Sequence, residues 1–308
     1  MSTLKKLTVS PHIHCGRSTR SIMLDVLISL LPATVAGTVI FGLRSLLVVA
    51  ACVISCVGFE WLFFNLLRKK DCTIDDLSAA VTGLLLALNL PANIPLWQCV
   101  VGSAFAIIIV KGLFGGLGKN LVNPAITARV FMLVAFGSMA TAAFPVDSVA
   151  SATPLADPTA MPSLMTLFLG THGGAIGETC AAALLLGGVY LLARRVISWH
   201  IPVVFAGTVF VFSLFMEGLD VTRALAMVLS GGLLIGAFFM ATDYVTSPST
   251  AWGKVLFALG AGLLTCTIRY FGNYPEGVSF AILFMNILTP YISKWTRSKV
   301  FGTGGANK

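Results

Sequence analysis

Residues 22–67 read IMLDVLISLLPATVAGTVIF, then GLR, then SLLVVAACVISCVGFEWLFFNLL. The two long runs hold one charged residue each, Asp25 and Glu60, and are joined by Gly42, Leu43 and Arg44. A hydrocarbon core about 30 Å thick is crossed by about 20 helical residues. Each run therefore makes one membrane span, and the pair makes a helical hairpin. The rest of the chain continues in the same way. Of its 308 residues 57% are hydrophobic and 10% charged, with a mean hydropathy of +0.93. Soluble domains carry about 25% charge, so lipid rather than water is the main solvent.

Apolar runs bounded by Gly, Pro or charge predict eight further spans. They cover about Leu77–Leu90 (stopped by Pro91), Leu96–Leu113, Pro124–Thr141, Ala175–Ala193, Ile201–Met216, Ala224–Ala241, Lys254–Phe271 and Gly277–Trp295. The expectation is an all-α integral membrane protein of about ten transmembrane helices. Residues 1–308 would form a single polytopic domain, with a polar N-terminal segment, 1–20, that carries no cleavable signal pattern. Seven cysteines, at 15, 52, 56, 72, 99, 180 and 266, include no CxxC pair. Neither a disulfide framework nor a zinc site is indicated.

Charge tests the map independently. With the N-terminus inside, 16 of the 20 basic residues fall on the cytoplasmic side, Lys111 and Lys119 among them. Arg44, Arg223 and Arg269 fall outside, and Arg129 lies within the fifth helix. This is the bias of the positive-inside rule. It explains the net charge of +8 by membrane orientation and gives no reason to invoke nucleic acid. Residues 142–171, which contain no Lys or Arg, are expected outside.

The halves resemble each other weakly. Gly83-Leu84-Leu85 opens a short apolar run ending at Pro91, and Gly232-Leu233-Leu234 opens another, interrupted at Thr242-Asp243. These are the third and eighth helices of a five-plus-five division. An odd count per half makes the repeat inverted, and broken helices at matching positions line central sites in such folds.

Ionisable groups inside a bilayer need a reason to be there. Glu60, about two turns from the cytoplasmic end of its helix, suits a cation or proton site, or a pair within the bundle. No basic residue lies within a turn of it in sequence. Asp243, among Thr242, Thr246 and Ser247, suits a cation or polar ligand, or an N-cap for the following turn. Asp25 and Arg129, near helix starts, read as interfacial. The Gly-rich connection from Lys111 to Pro124 lacks the spacing of a phosphate loop and reads as a tight turn between helices.

The segment Asp147-Ser148-Val149-Ala150-Ser151-Ala152-Thr153, followed by Pro154-Leu155-Ala156, resembles the motif at which FMN joins threonine through a phosphoester in the NqrB/RnfD family of ion-translocating redox complexes. Ala150 and Ser151 stand where that family usually has Ser and Gly. Ser10-Pro11-His12, Asp76 to Ala79 with Val81 to Pro91, Gly118 to Ala125, and Phe239 to Asp243 with Thr246 to Pro248 also look like its signatures. The short N-terminus is nearer the RnfD branch than the NqrB branch.

The resemblance implies a ten-helix, urea-transporter-like inverted repeat in a bacterial cytoplasmic membrane, both termini inside. It implies covalent FMN on Thr153 within an external loop, 142–171, attached by a flavin transferase, and allows a second, non-covalent flavin such as riboflavin. The activity implied is electron exchange between ferredoxin and NAD, coupled to Na⁺ or H⁺ movement, with Glu60 and Asp243 as coupling candidates. This chain has neither a dinucleotide fingerprint nor cluster-spaced cysteines, so ferredoxin and NAD are expected on other subunits of the complex. A solute channel of the same fold without redox chemistry is the competing class, and a purely structural membrane subunit is the third. A flavin that stays on the denatured chain separates the first from both.

Overall fold

The structure, a computed structural model, describes residues 18–68, 74–136, 162–272 and 277–297. The motif 147–153, with Thr153, lies outside the described residues. Among the described residues there are twelve α-helices and no β-strand. The helices are α1 (Thr19–Phe41), α2 (Leu43–Leu62), α3 (Ser78–Leu88), α4 (Leu96–Ala104), α5 (Pro124–Ala135), α6 (Leu164–Leu169), α7 (Ala181–Ala193), α8 (His200–Met216), α9 (Val221–Leu229), α10 (Leu233–Ile235), α11 (Ala251–Phe271) and α12 (Val278–Trp295). Three pass into wider π-helical turns: α2 through Phe63–Arg68, α4 through Phe105–Gly112 and α10 through Gly236–Met240.

Three of the described helical stretches are long and apolar enough to cross a membrane, 19–41, 43–65 and 251–271, or four if α9 and α10 count as one bent span. Shorter apolar helices surround them. Burial supports the same solvent: Val39, Leu43, Ile54, Val134, Phe215 and Trp252 are each more than two-thirds exposed. Glu60, Lys111, Arg129 and Glu178 are each no more than 5% exposed. A water-soluble surface would not carry so much contiguous apolar area.

Helix starts follow ordinary capping chemistry. The Asn123 side chain accepts from the backbone N–H of Ala125 and Ile126, with Pro124 at the first helical position. Asp220 and Thr250 cap α9 and α11 in the same way. In packing, α2 lies along α3 and α4, α8 along α9 and α11, α1 along α7, and α11 along α12. Close approach of α2 and α3 depends on Gly83. A Cβ there would lie 2.8 Å from Val53 Cα and 2.9 Å from the Cys52 carbonyl oxygen.

The predicted spans shift in four places. The eighth is not one helix over 224–241: it breaks at Ser230-Gly231-Gly232, where α9 and α10 meet at 64°. This bend comes in addition to the interruption at Thr242-Asp243, where the helical run from Leu233 ends at Met240. Gly231, with φ +65°, supplies the left-handed turn. The sixth begins at Ala181, because residues 171–180 run as an irregular buried segment. The fifth is described as helix only to Ala135, and 164–169, read as loop, forms α6. Arg44 and Arg269, two exceptions to the charge bias, have local work. Arg44 donates to the carbonyls of Ala92 and Asn93 after α3. Arg269 donates to those of Met227 and Ser230 at the end of α9. Arg269 thus satisfies carbonyls that the end of α9 leaves without partners, and Arg44 ties α2 to the turn that follows α3.

Candidate functional site

The tight stop after Leu88 and the bend at Gly232 bring polar groups of distant segments into the interior. Three groupings result: a cleft, a buried relay beside it, and an ion-pair network beyond its end.

The cleft holds about 90 Å³ of free space and is open at its mouth. Its apolar wall includes Val26 of α1, Leu85 of α3 and Phe238 and Phe239 of the π-helical turn after α10. Its polar side is built by Ser78, Thr82, Asn120, Asn123, Thr242 and Asp243. Asn123 is fixed by its capping bonds and by donating from Nδ2 to the Met240 carbonyl at 3.2 Å. Asn120 is 8% exposed, and its Oδ1 has no hydrogen-bond partner. A buried acceptor left open is costly, so Asn120 Oδ1 is available to a donor from water or from a bound molecule. Asp243 lies in the loop 241–250, outside the helices. It accepts from Thr246 Oγ1 at 3.1 Å and from the backbone N–H of Val245 at 3.5 Å. Burial there raises its carboxyl above the ordinary value, and these hydrogen bonds oppose the shift.

Lys111 also lines the cleft. The sequence reading counted it among the basic residues of the cytoplasmic side; in the structure its side chain is buried, 1% exposed. The π-helical turn Phe105–Gly112 carries it inward. Its Nζ donates to both oxygens of Glu60, at 2.8 and 2.9 Å, and to Ser78 Oγ at 2.6 Å. Ser78 Oγ in turn donates to Asp76 Oδ1 at 2.5 Å. Glu60, 0% exposed, is therefore paired with a cation 51 residues away in sequence. An acid–base–hydroxyl–acid chain connects it to the half-buried Asp76 before α3.

The third grouping centres on Arg129. Read as interfacial, it is buried in α5 at 5% exposure. Its Nη2 lies 2.7 Å from Glu178 Oε1, and its Nη1 donates to Asn89 Oδ1 at 2.8 Å and Ser279 Oγ at 3.1 Å. Glu178 sits in the irregular segment 171–180, which pairs with the end of α3: Gly177 N donates to the Leu88 carbonyl and Ile176 N to that of Leu90. At the bend, Gly232 has no room for a side chain, since a Cβ would lie 2.6 Å from Glu178 Oε1. Asp25, also read as interfacial, is 7% exposed and accepts from Tyr190 and from the exposed Arg194.

Sequence reasoning found Glu60 and Asp243 and missed Glu178, Ser78 and the role of Lys111. The signal for Glu178 was an acid in a Gly-rich stretch, Gly173-Gly174-Ala175-Ile176-Gly177-Glu178, inside an otherwise apolar run. The structure gathers Ser78, Lys111 and Asp243 around one cleft, with Glu60 behind Lys111.

The model of the family described as NQR2, RnfD, RnfE matches residues 6–302. The chain is similar to an Acetobacterium woodii protein named as the D subunit of a Na(+)-translocating ferredoxin:NAD(+) oxidoreductase complex. The two are 49% identical across 96% of this chain and 95% of that one. It is similar to a Clostridium ljungdahlii protein named as the D subunit of a proton-translocating ferredoxin:NAD(+) oxidoreductase complex, at 42% identity over 96% of each. A Halorhodospira halophila protein, named as the D subunit of an ion-translocating oxidoreductase complex, is 34% identical over 97% of this chain and 96% of its own length.

Proposed function

The chain belongs to the NQR2, RnfD, RnfE family, and from that premise we propose that it is the D subunit of an ion-translocating ferredoxin:NAD oxidoreductase complex in a bacterial cytoplasmic membrane. The observation that carries this is the 49% identity spread over 96% of the chain. Its partners are the other subunits of the complex, a flavin transferase and the lipid bilayer.

The fold reading that accompanies it is ten spans in a five-plus-five inverted repeat, both termini cytoplasmic. The packing supports it. Helix 2 on helices 3 and 4 of the first half (α2 on α3 and α4) is matched by helix 7 on helices 8 and 9 of the second (α8 on α9 and α11). The pairing of α4 with α5 is matched by that of α11 with α12, and α1 with α7 is the pair that maps onto itself.

Thr153 is proposed to carry FMN through its hydroxyl, supported by the Asp147-to-Thr153 spacing and the small residues before the threonine. The cleft is proposed to hold a second, non-covalent flavin. A lining that combines apolar side chains, Phe238 and Phe239 among them, with Ser78, Thr82, Asn123 and Asp243 suits a ring system with a polar edge, and Asn120 Oδ1 is open to an imide N–H. Flavins supply the redox chemistry; this chain positions them and screens them from solvent. Glu60, with Lys111 and Ser78, is the proposed coupling group, because a cation or proton reaching the carboxylate must displace or discharge Lys111.

A denaturing gel of the purified complex under ultraviolet light, with mass spectrometry of the Thr153 peptide, tests the reading. Flavin mass on Thr153 is expected. Thr153→Val is expected to insert and assemble but to lose that mass and electron transfer. An unmodified Thr153 in active, flavin-replete complex would overturn the assignment. Glu60→Gln should abolish coupled ion transport; unchanged transport would make the residue structural.

A further inference from the structure

The cleft stops one helical turn short of the Arg129 network. Leu85 of α3 and Ala125 of α5 line it, and Asn89 and Arg129 follow four residues later along the same two segments, on the same faces. Beyond the cleft the interior is closed by Arg129, Glu178, Asn89 and Ser279, none more than 5% exposed. Residues from five segments meet there: the end of α3, α5, the segment 171–180, the bend at Gly232 and the start of α12.

The chemistry of this meeting point is that of a cation cage. A carboxylate, an amide oxygen and a hydroxyl converge on one positive group, at 2.7, 2.8 and 3.1 Å. Oxygen donors of this kind bind hard cations. Here the cation is a side chain, fixed by a covalent stem to α5. We propose that Glu178, Asn89 and Ser279 form a cation-binding cage whose permanent occupant is the Arg129 guanidinium, and that this tethered cation seals the floor of the cleft against passing ions.

Three features of the geometry support a seal over mere helix glue. The guanidinium uses both terminal nitrogens on different elements, so no single helix can move away without exposing it. Gly232 brings the bend against the pair: a Cβ there would lie 2.6 Å from Glu178 Oε1 and 3.2 Å from Arg129 Nη1. The carboxylate cannot attract a mobile cation while Arg129 neutralises it. A protein working in a membrane under ion gradients needs such closure wherever a cleft penetrates between broken helices. The inference does not depend on where either flavin sits.

The test uses the whole purified complex in sealed vesicles, with no electron donor or acceptor, and follows passive Na⁺ and K⁺ entry by trapped dye and glycerol entry by light scattering. Arg129→Ala leaves the cage without its cation and is expected to raise Na⁺ or K⁺ flux about tenfold or more, the change that each ~1.4 kcal/mol off a barrier produces. Glycerol entry should stay at the parent rate, and Arg129→Lys should stay tight. Because an emptied cage could hinder assembly, Arg129→Ala is also prepared with guanidinium chloride present. Free guanidinium is expected to occupy the cage, support assembly and close the leak, which reopens when the ion is removed. Tight vesicles from assembled Arg129→Ala would overturn the proposal. Entry of glycerol along with the cations, or failure of guanidinium either to permit assembly or to close the leak, would overturn it too.

Discussion

Lys111 shows how a residue's meaning depends on what lies opposite it. A lysine at the end of an apolar run reads as an anchor at the cytoplasmic surface, and the positive-inside rule counts it so. In the fold its ammonium uses its three donors on Glu60 and Ser78, away from solvent. Breaking one side of a buried pair costs about 3–5 kcal/mol because the partner is left charged and unpaired, whereas replacing both can be nearly neutral. Lys111→Met is therefore expected to lower the thermal midpoint of the complex sharply. Glu60→Gln with Lys111→Met should recover most of the loss. Equal losses in single and double variants would remove the pair from the stability account. Stability and transport separate here: the double variant should be stable and still fail to couple ion movement.

Among elements, the informative contrast is between glycines of the same bundle. A Cβ added at Gly83 would lie 2.8 Å from the α2 backbone at Val53, while one added at Gly58 of α2 would meet nothing within 4 Å. Gly83→Ala forces α2 and α3 apart, the kind of overpacking that costs about 1–3 kcal/mol. Gly58→Ala should change stability by less than about 0.5 kcal/mol. Heat resistance of the detergent-purified complex, measured side by side, checks both. The bend at Gly232 gives a second case. Arg269→Gln leaves the carbonyls of Met227 and Ser230 without their shared donor, and each buried unsatisfied group costs about 1–3 kcal/mol. The 171–180 backbone beside the bend should then exchange its amide hydrogens faster, while exchange in α1 stays unchanged.

For the whole molecule, orientation is the property most directly measurable. A topology that puts sixteen of the 20 basic residues on the cytoplasmic side, as the positive-inside rule favours, predicts that a single cysteine replacing Ser148 is labelled from outside intact cells. One replacing Lys254 should be labelled only after the membrane is opened. Labelling in the reverse sense would invert the map and remove the external placement on which Thr153 as a flavin carrier depends.

The membrane character, the positions of most helices and Glu60 as a charge within an apolar run were readable along the chain, because span length, apolar runs and rare intramembrane charge are local properties of sequence. The resemblance carried by short motifs was readable for the same reason, and the family match over residues 6–302 agrees with it. The partners of those charges were not. Lys111 meets Glu60 across 51 residues, Asn89 meets Arg129 across 40, and Ser279 meets Arg129 across 150. Neither hydropathy nor spacing encodes which helices lie side by side. Only packing, through the close approach at Gly83, the π-helical turn that carries Lys111 inward and the bend at Gly232, turns isolated buried charges into a relay, a cleft and a closed floor.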